Sequence, residues 1–287
     1  MKKALLALVV VLVAAAAATG AAAADGGPAP SAQLGWDGVR APGADVRYVA
    51  LATGSATTVA AVRVHDGRVL RWATVRGGYG IPAVAFDGST GGLSADARTL
   101  VLASLATGPV YGGTTRFAVL RLPGLKVRRT IALPGLWSFD AIAPDGATLY
   151  AIEYLAEAPA VRYRVRAVDV STGRPRPGAI VDKREPDEQM NGTPVTRATG
   201  RGAEWVYTLY AKPNGTAFVH ALDTVHARAV CVDLPWSKVG QAIWGARMSV
   251  AADARSLRLS QRGVGLLATV DLRSFAVRAL RRPVVID

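Results

Sequence analysis

Three histidines, one cysteine and a scatter of carboxylates are the side chains here with the chemistry for catalysis or metal binding. Their spacing decides what they can do. A zinc or copper centre needs several ligands converging from different elements. His65 stands beside Asp66-Gly67, His220 inside an apolar run, and His226 six residues later. None recurs at a repeated position or stands at a known ligand spacing from a carboxylate, so no metal and no cofactor is expected. Asp140, Glu153, Asp169 and Asp223 could in principle gather around Ca²⁺, but turn and strand-end hydrogen bonding is their plainer role. A serine nucleophile would need a histidine and an acid beside it, and the G-x-S-x-G elbow is absent. Cys231 lies in the apolar run Ala229 to Leu234, where it reads as a small core residue, and a single cysteine cannot form an internal disulfide.

Recognition chemistry is richer. Tyr79, Trp137, Asp140, Trp244 and Arg247 fall in segments that mix aromatic and polar residues more densely than the rest of the chain. Such a mixture can build a platform for carbohydrate or peptide. The same tryptophans could instead seal joints between packed elements, because large aromatics are usually mostly buried. Arg162, Arg164 and Arg166 alternate with Val161, Tyr163 and Val165, which sets three guanidinium groups on one face of a strand. They read as an anion-binding stripe or, more plainly, as a charged outer strand that resists edge-to-edge pairing.

These residues must be held by strands, because no sustained helical stripe occurs after residue 24. The organising stretch runs from Ser138 to Tyr154. An apolar segment meets Pro144-Asp145-Gly146, and an alternating segment follows: strand, tight turn, strand. The same syntax recurs around Asp96 and Asp253, with an eroded copy at Gly200 to Glu204 and a further one at Gly43-Ala44-Asp45. Asp96 and Asp145 are 49 residues apart, and Asp145 to Asp253 is two steps of 54. Five units of about four strands each follow from this count, the arrangement of β-propeller blades.

Ala143-Pro144-Asp145-Gly146-Ala147-Thr148-Leu149-Tyr150-Ala151 resembles the YVTN-type repeat of exported prokaryotic β-propellers, although the copies at Asp96 and Asp253 lack the Pro and Gly. The resemblance implies an all-β propeller of four-stranded blades. Five repeats are found, and six or seven blades are the alternatives. It also implies that the segments 77–86, 134–140, 187–196 and 239–248 run toward the central channel. Trp137 and Trp244 precede their motif aspartates by 8 and 9 residues, so they occupy nearly equivalent places. The motif specifies a blade and not an activity.

At the N-terminus Lys2 and Lys3 precede an apolar run that ends in Ala22-Ala23-Ala24, the pattern of a cleavable signal peptide over residues 1–24. Residues 25–31 form a Gly/Pro/Ser linker and residues 32–287 the propeller domain. Residues 32–42 or the C-terminal Val284-Val285-Ile286 could complete a terminal blade. The formal net charge is +13, of which the two leader lysines carry two, leaving +11. With export, that charge points away from nucleic acid and toward an acidic protein, a peptide or an anionic cell-envelope polymer. The expectation is a secreted, monomeric, non-catalytic binding or scaffold module with no membrane span after cleavage. The alternative is a lyase- or hydrolase-type enzyme that turns channel carboxylates on an anionic substrate.

Overall fold

The computed structural model describes residues 37–40, 43–104, 113–155, 162–185 and 190–285; the expected signal peptide and linker lie outside them. Nineteen strands are described, and they form five antiparallel sheets in chain order. Blade 1 holds β1 (Val39–Arg40), β2 (Val46–Thr53), β3 (Ala56–Arg63) and β4 (Val69–Arg76). Blade 2 holds β5 (Tyr79–Gly80), β6 (Thr99–Ser104), β7 (Thr114–Arg121) and β8 (Lys126–Pro134). Blade 3 holds β9 (Trp137–Ile142), β10 (Thr148–Leu155) and β11 (Arg162–Asp169). Its fourth place is taken by an irregular segment that bridges β11 at Pro175 and Ile180. Blade 4 holds β12 (Thr193–Thr199), β13 (Trp205–Ala211), β14 (Ala217–Asp223) and β15 (Arg228–Asp233). Blade 5 holds β16 (Ala246–Val250), β17 (Ser256–Gln261), β18 (Gly265–Asp271) and β19 (Val277–Ala279). The chain is an all-β propeller of five blades.

Blade 1 draws its innermost strand from Val39–Arg40, inside the stretch expected to complete a terminal blade. The other end behaves differently: Val284 exchanges two hydrogen bonds with the Gln261 side chain and joins no strand, while Ile286 lies outside the described residues.

The repeated turn works as its residue types dictate. The Asp145 carboxylate accepts the Ala147 N–H at 2.9 Å, and Asp96 and Asp253 do the same for Arg98 and Arg255. Gly146 takes φ +71°, and a Cβ there would lie 2.3 Å from the Thr99 hydroxyl oxygen. Ala97 and Ala254 adopt the same left-handed conformation in their copies at φ 54° and 56°. Where the neighbour leaves room, alanine bears the positive φ, which is why those copies lost their glycine without losing the turn.

The core is divided among the joints. Four apolar clusters sit between consecutive blades, from the 1/2 joint around Leu100 and Leu120 to the 4/5 joint around Leu209 and Leu257. Blades 2 to 4 turn one face toward the predecessor and the other toward the successor, so strands such as β6, β10 and β14 are buried nearly throughout, whereas β2 and β17 of the terminal blades alternate between buried and more exposed positions.

Candidate functional site

Two irregularities shape the centre of the ring. The ladder between β9 and β10 pairs Ala141 with Tyr150 and Phe139 with Ala151, leaving Asp140 as the extra residue of a bulge. The β12–β13 ladder skips Val195 in the same manner. Bulges re-aim the side chain and carbonyl of the unpaired residue; here the Asp140 and Val195 carbonyls are each met from another blade, while the Val195 side chain packs in the 4/5 core.

At the first bulge, Arg197 of β12 donates to the Asp140 carbonyl and to its carboxylate Oδ1, while the Arg197 Nε donates to the Thr208 hydroxyl at 3.0 Å. Both charges are out of solvent, the side chains being 7% and 2% exposed. Asp140 Oδ2 is buried without a hydrogen-bond partner among the described residues. Asp140 and Arg197 are 57 residues apart, close to one repeat, so they occupy matching places on successive inner strands.

At the second bulge, a hairpin from blade 2 crosses to blade 4. Its strands bridge at Ala83 and Thr90 and turn at Asp87-Gly88. The Phe86 and Asp87 N–H groups donate to the Pro194 and Val195 carbonyls at 3.0 and 3.2 Å, and the Thr196 hydroxyl donates to the Asp87 carboxylate at 2.5 Å. Phe86 meets Trp244 edge-on with centroids 5.7 Å apart. Blades 2 and 4 are not neighbours in the ring, so this hairpin lies across its centre and plugs it.

Beside the plug remains a cavity of about 370 Å³, lined by Val39 and Arg40 of blade 1, Thr90 to Leu93 at the hairpin base, Phe139 to Ile142, and Arg197, Thr199, Gly200, Gly202, Ala203 and Val206 of blade 4. Its charges do not cancel. The Asp140 carboxylate is matched by Arg197, whereas the exposed Arg40 side chain has no hydrogen bond or ion pair among the described residues.

The sequence candidates separate. Asp140 lines the cavity. Tyr79 is 4% exposed in the core between blades 1 and 2, and Trp137 is 3% exposed between blades 2 and 3, its indole N–H donating to the Pro134 carbonyl at 2.8 Å. Trp244 is half-buried against the 4/5 core and touches the plug. Arg247 is exposed and donates to the Trp244 and Ala246 carbonyls.

The carboxylates that might have gathered around a cation are held apart. Glu153 accepts from Arg164 and Arg166 at 2.6 and 3.1 Å across the strand pair, and these bonds hold its carboxyl below the usual range against the upward pull of burial. Two guanidinium groups of the arginine stripe are therefore occupied. Asp169 is lowered to about 2 by the Ser171 hydroxyl and the Thr172 N–H, and Asp223 is held by His226 and Arg228. Among the described residues no three His, Cys, Asp or Glu side chains come close enough to share a metal ion.

A polar row crosses blade 4 from centre to rim: Arg197 opposite Thr208, Thr208 opposite His220, His220 opposite Cys231. The His220 Nδ1 lies 3.9 Å from Cys231 Sγ, and its buried Nε2 has no partner among the described residues. Burial pushes the imidazole below its ordinary 6.5, so it folds neutral. The unfolded chain takes up this proton as pH falls through 6.5, while the folded chain resists it. His220 therefore leaves stability intact above that value and erodes it below. We expect the denaturation midpoint to fall between pH 7 and 5, where the lowered carboxylates are still ionised, and His220→Leu to flatten the profile over that interval. An unchanged slope in the variant would remove His220 as the cause.

No protein-family model and no curated protein sequence matches the chain. Solved structures do resemble it. A functionally unknown protein from Desulfotomaculum acetoxidans DSM 771 superposes with a TM-score of 0.50 at 12% identity, over 85% of this chain and 68% of that one. The β-propeller domain of Myceliophteria thermophila Cps50 (Swd1) gives 0.45 at 12% identity, over 82% and 69%. TolB from Acinetobacter baumannii gives 0.38 at 12%, over 87% and 62%. At such identities the likeness concerns the fold alone.

Proposed function

We propose that the chain is an exported, non-catalytic binding module that takes an anionic group of a peptide or cell-envelope polymer at the cavity beside the plug. The observation that carries this reading is the Arg40 guanidinium, unmatched among the described residues, in the lining of a cavity whose charged pair, Asp140 and Arg197, is already neutral. A cavity of about 370 Å³ falls at the small end of ligand pockets. Val39, Leu93, Phe139 and Val206 would bury an apolar body, and the arginine would face its carboxylate or sulfate. The cavity supports binding over turnover, because its one lining carboxylate, Asp140, is already engaged by Arg197. The basic surplus of the whole chain would draw such partners in at low ionic strength.

The test is a thermal-shift screen of the chain against short peptides with free or amidated C-termini and against carboxylated and sulfated glycans. A ligand that binds only the native state raises the midpoint by mass action. We expect shifts with the free carboxylates or anionic glycans, suppressed by salt and lost in Arg40→Glu. Shifts that survive Arg40→Glu unchanged would place the ligand elsewhere.

A further inference from the structure

We infer that β4, the outer edge of blade 1, is a docking strand for an extended acidic segment of a partner protein, added to the sheet by main-chain pairing. This surface is separate from the cavity, and the inference does not depend on the reading given for it. Edge strands offer unpaired N–H and C=O groups and are normally blunted. The other blades follow that rule. The edge of β11 is covered by the segment that bridges it at Pro175 and Ile180. Along β15, Asp182 accepts the Cys231 N–H at 2.8 Å and Arg184 donates to the Cys231 carbonyl at 2.8 Å. Strand β19 has only three residues, and β8 sets Lys126, Arg128 and Arg129 around its one exposed large apolar residue, Val127.

Strand β4 differs. It runs for eight residues, pairs among the described strands only with β3, and exposes Val69, Leu70 and Trp72 at 54%, 43% and 65%. A tryptophan two-thirds in solvent on a free edge is the anchor type that dominates interfaces. Arg68, Arg71 and Arg76 are exposed around it and make no side-chain hydrogen bond or ion pair among the described residues. Those charges select the occupant. Two β4 strands facing each other would bring the arginines around each edge, Arg68, Arg71 and Arg76, against the same set of the other copy, and like charges across a ladder are destabilising. An incoming strand that alternates acidic with apolar residues would instead pair its carboxylates with the arginines and pack its apolar side chains on Trp72 and Val69.

The experiment is selection of random twelve-residue peptides, displayed on phage, with the purified chain as bait, followed by affinity measurement on the enriched peptides. Trp72→Lys and Val127→Lys serve as bait variants; both positions are exposed, and circular dichroism confirms that each still folds. We expect enrichment of alternating acidic and apolar sequences whose binding weakens about tenfold or more in Trp72→Lys, is unchanged in Val127→Lys, and declines with salt. Enriched peptides that bind Trp72→Lys as well as the original chain would overturn the assignment, as would failure to enrich any peptide. Sedimentation of the chain alone distinguishes a second copy: a dimer that Trp72→Lys abolishes would make β4 a self-interface and remove the acidic partner.

Discussion

Replacing Arg197 by Leu should destabilise the fold by about 3–5 kcal/mol, the usual penalty for leaving one member of a buried ion pair without the other. Asp140 is 2% exposed, and its Oδ2 already lacks a partner among the described residues. Arg197 is the group that meets Oδ1 and the carbonyl that the bulge turns inward. For a domain of this size the loss corresponds to roughly 6–20 °C in the thermal midpoint. The converse is as informative. The double variant Arg197→Leu with Asp140→Leu removes both charges together, and an apolar pair of similar volume is often neutral relative to the ion pair it replaces. Denaturant titration of the four proteins in the cycle should therefore show the double variant more stable than Arg197→Leu alone. If the two single losses simply add, the pair is not coupled and the bulge is held by something else. The same variant tests the cavity, since its Asp140 wall is positioned by this arginine.

The fold was legible because its cues are local. Asp145-Gly146 and its copies at Asp96 and Asp253 form turns of the expected kind, since an Asp carboxylate that caps a turn needs no tertiary partner; strands flank Asp145 and Asp253 on both sides, whereas before Asp96 only the isolated bridge at Leu93 stands and the inner strand is Tyr79–Gly80. The eroded copy at Gly200 to Glu204 survives as a short 3₁₀ turn with Gly202 at φ 70°. The centre was less legible because its contacts join residues far apart in the chain. Asp140 was picked out by its place before a motif turn, but its partner was not. The signal existed: Arg197 lies 57 residues on, at the matching place of the next blade, and a search for opposite charges one repeat apart would have paired them. The plug was hidden for a different reason. Asp87-Gly88 between Ala83-Val84-Ala85-Phe86 and Ser89-Thr90 is a fair hairpin signal, yet nothing local says that its N–H groups will reach the carbonyls of Pro194 and Val195 two blades away. Tyr79 and Trp137 show the limit of composition: an aromatic at an inner-strand entry suits a platform and a blade joint equally, and only packing separates the two.

Gly92→Ala should be among the most damaging single-methyl changes in the chain and should act on the plug. Gly92 stands at the hairpin base with φ +101°, where any L side chain is strained, and a Cβ there would lie 2.4 Å from the Val101 carbonyl oxygen. That oxygen belongs to backbone inside β6, a strand buried in the 1/2 and 2/3 cores, so it cannot retreat as a flexible side chain would. Strain and overpacking together should cost about 2–5 kcal/mol. The part of the structure free to yield is the hairpin, whose grip rests on two main-chain bonds and the Thr196–Asp87 contact with blade 4 and on the Phe86–Trp244 edge with the segment entering blade 5. Hydrogen exchange should then show lost protection at the Phe86 and Asp87 amides before any loss in the blade cores, and the tryptophan emission should shift as Trp244 loses its neighbour. Protection that falls uniformly would mean that plug and blades unfold as one unit. A selective loss would show the plug to be the least stable part of the ring, and because Thr90 to Leu93 form one wall of the cavity, ligand affinity should fall with it.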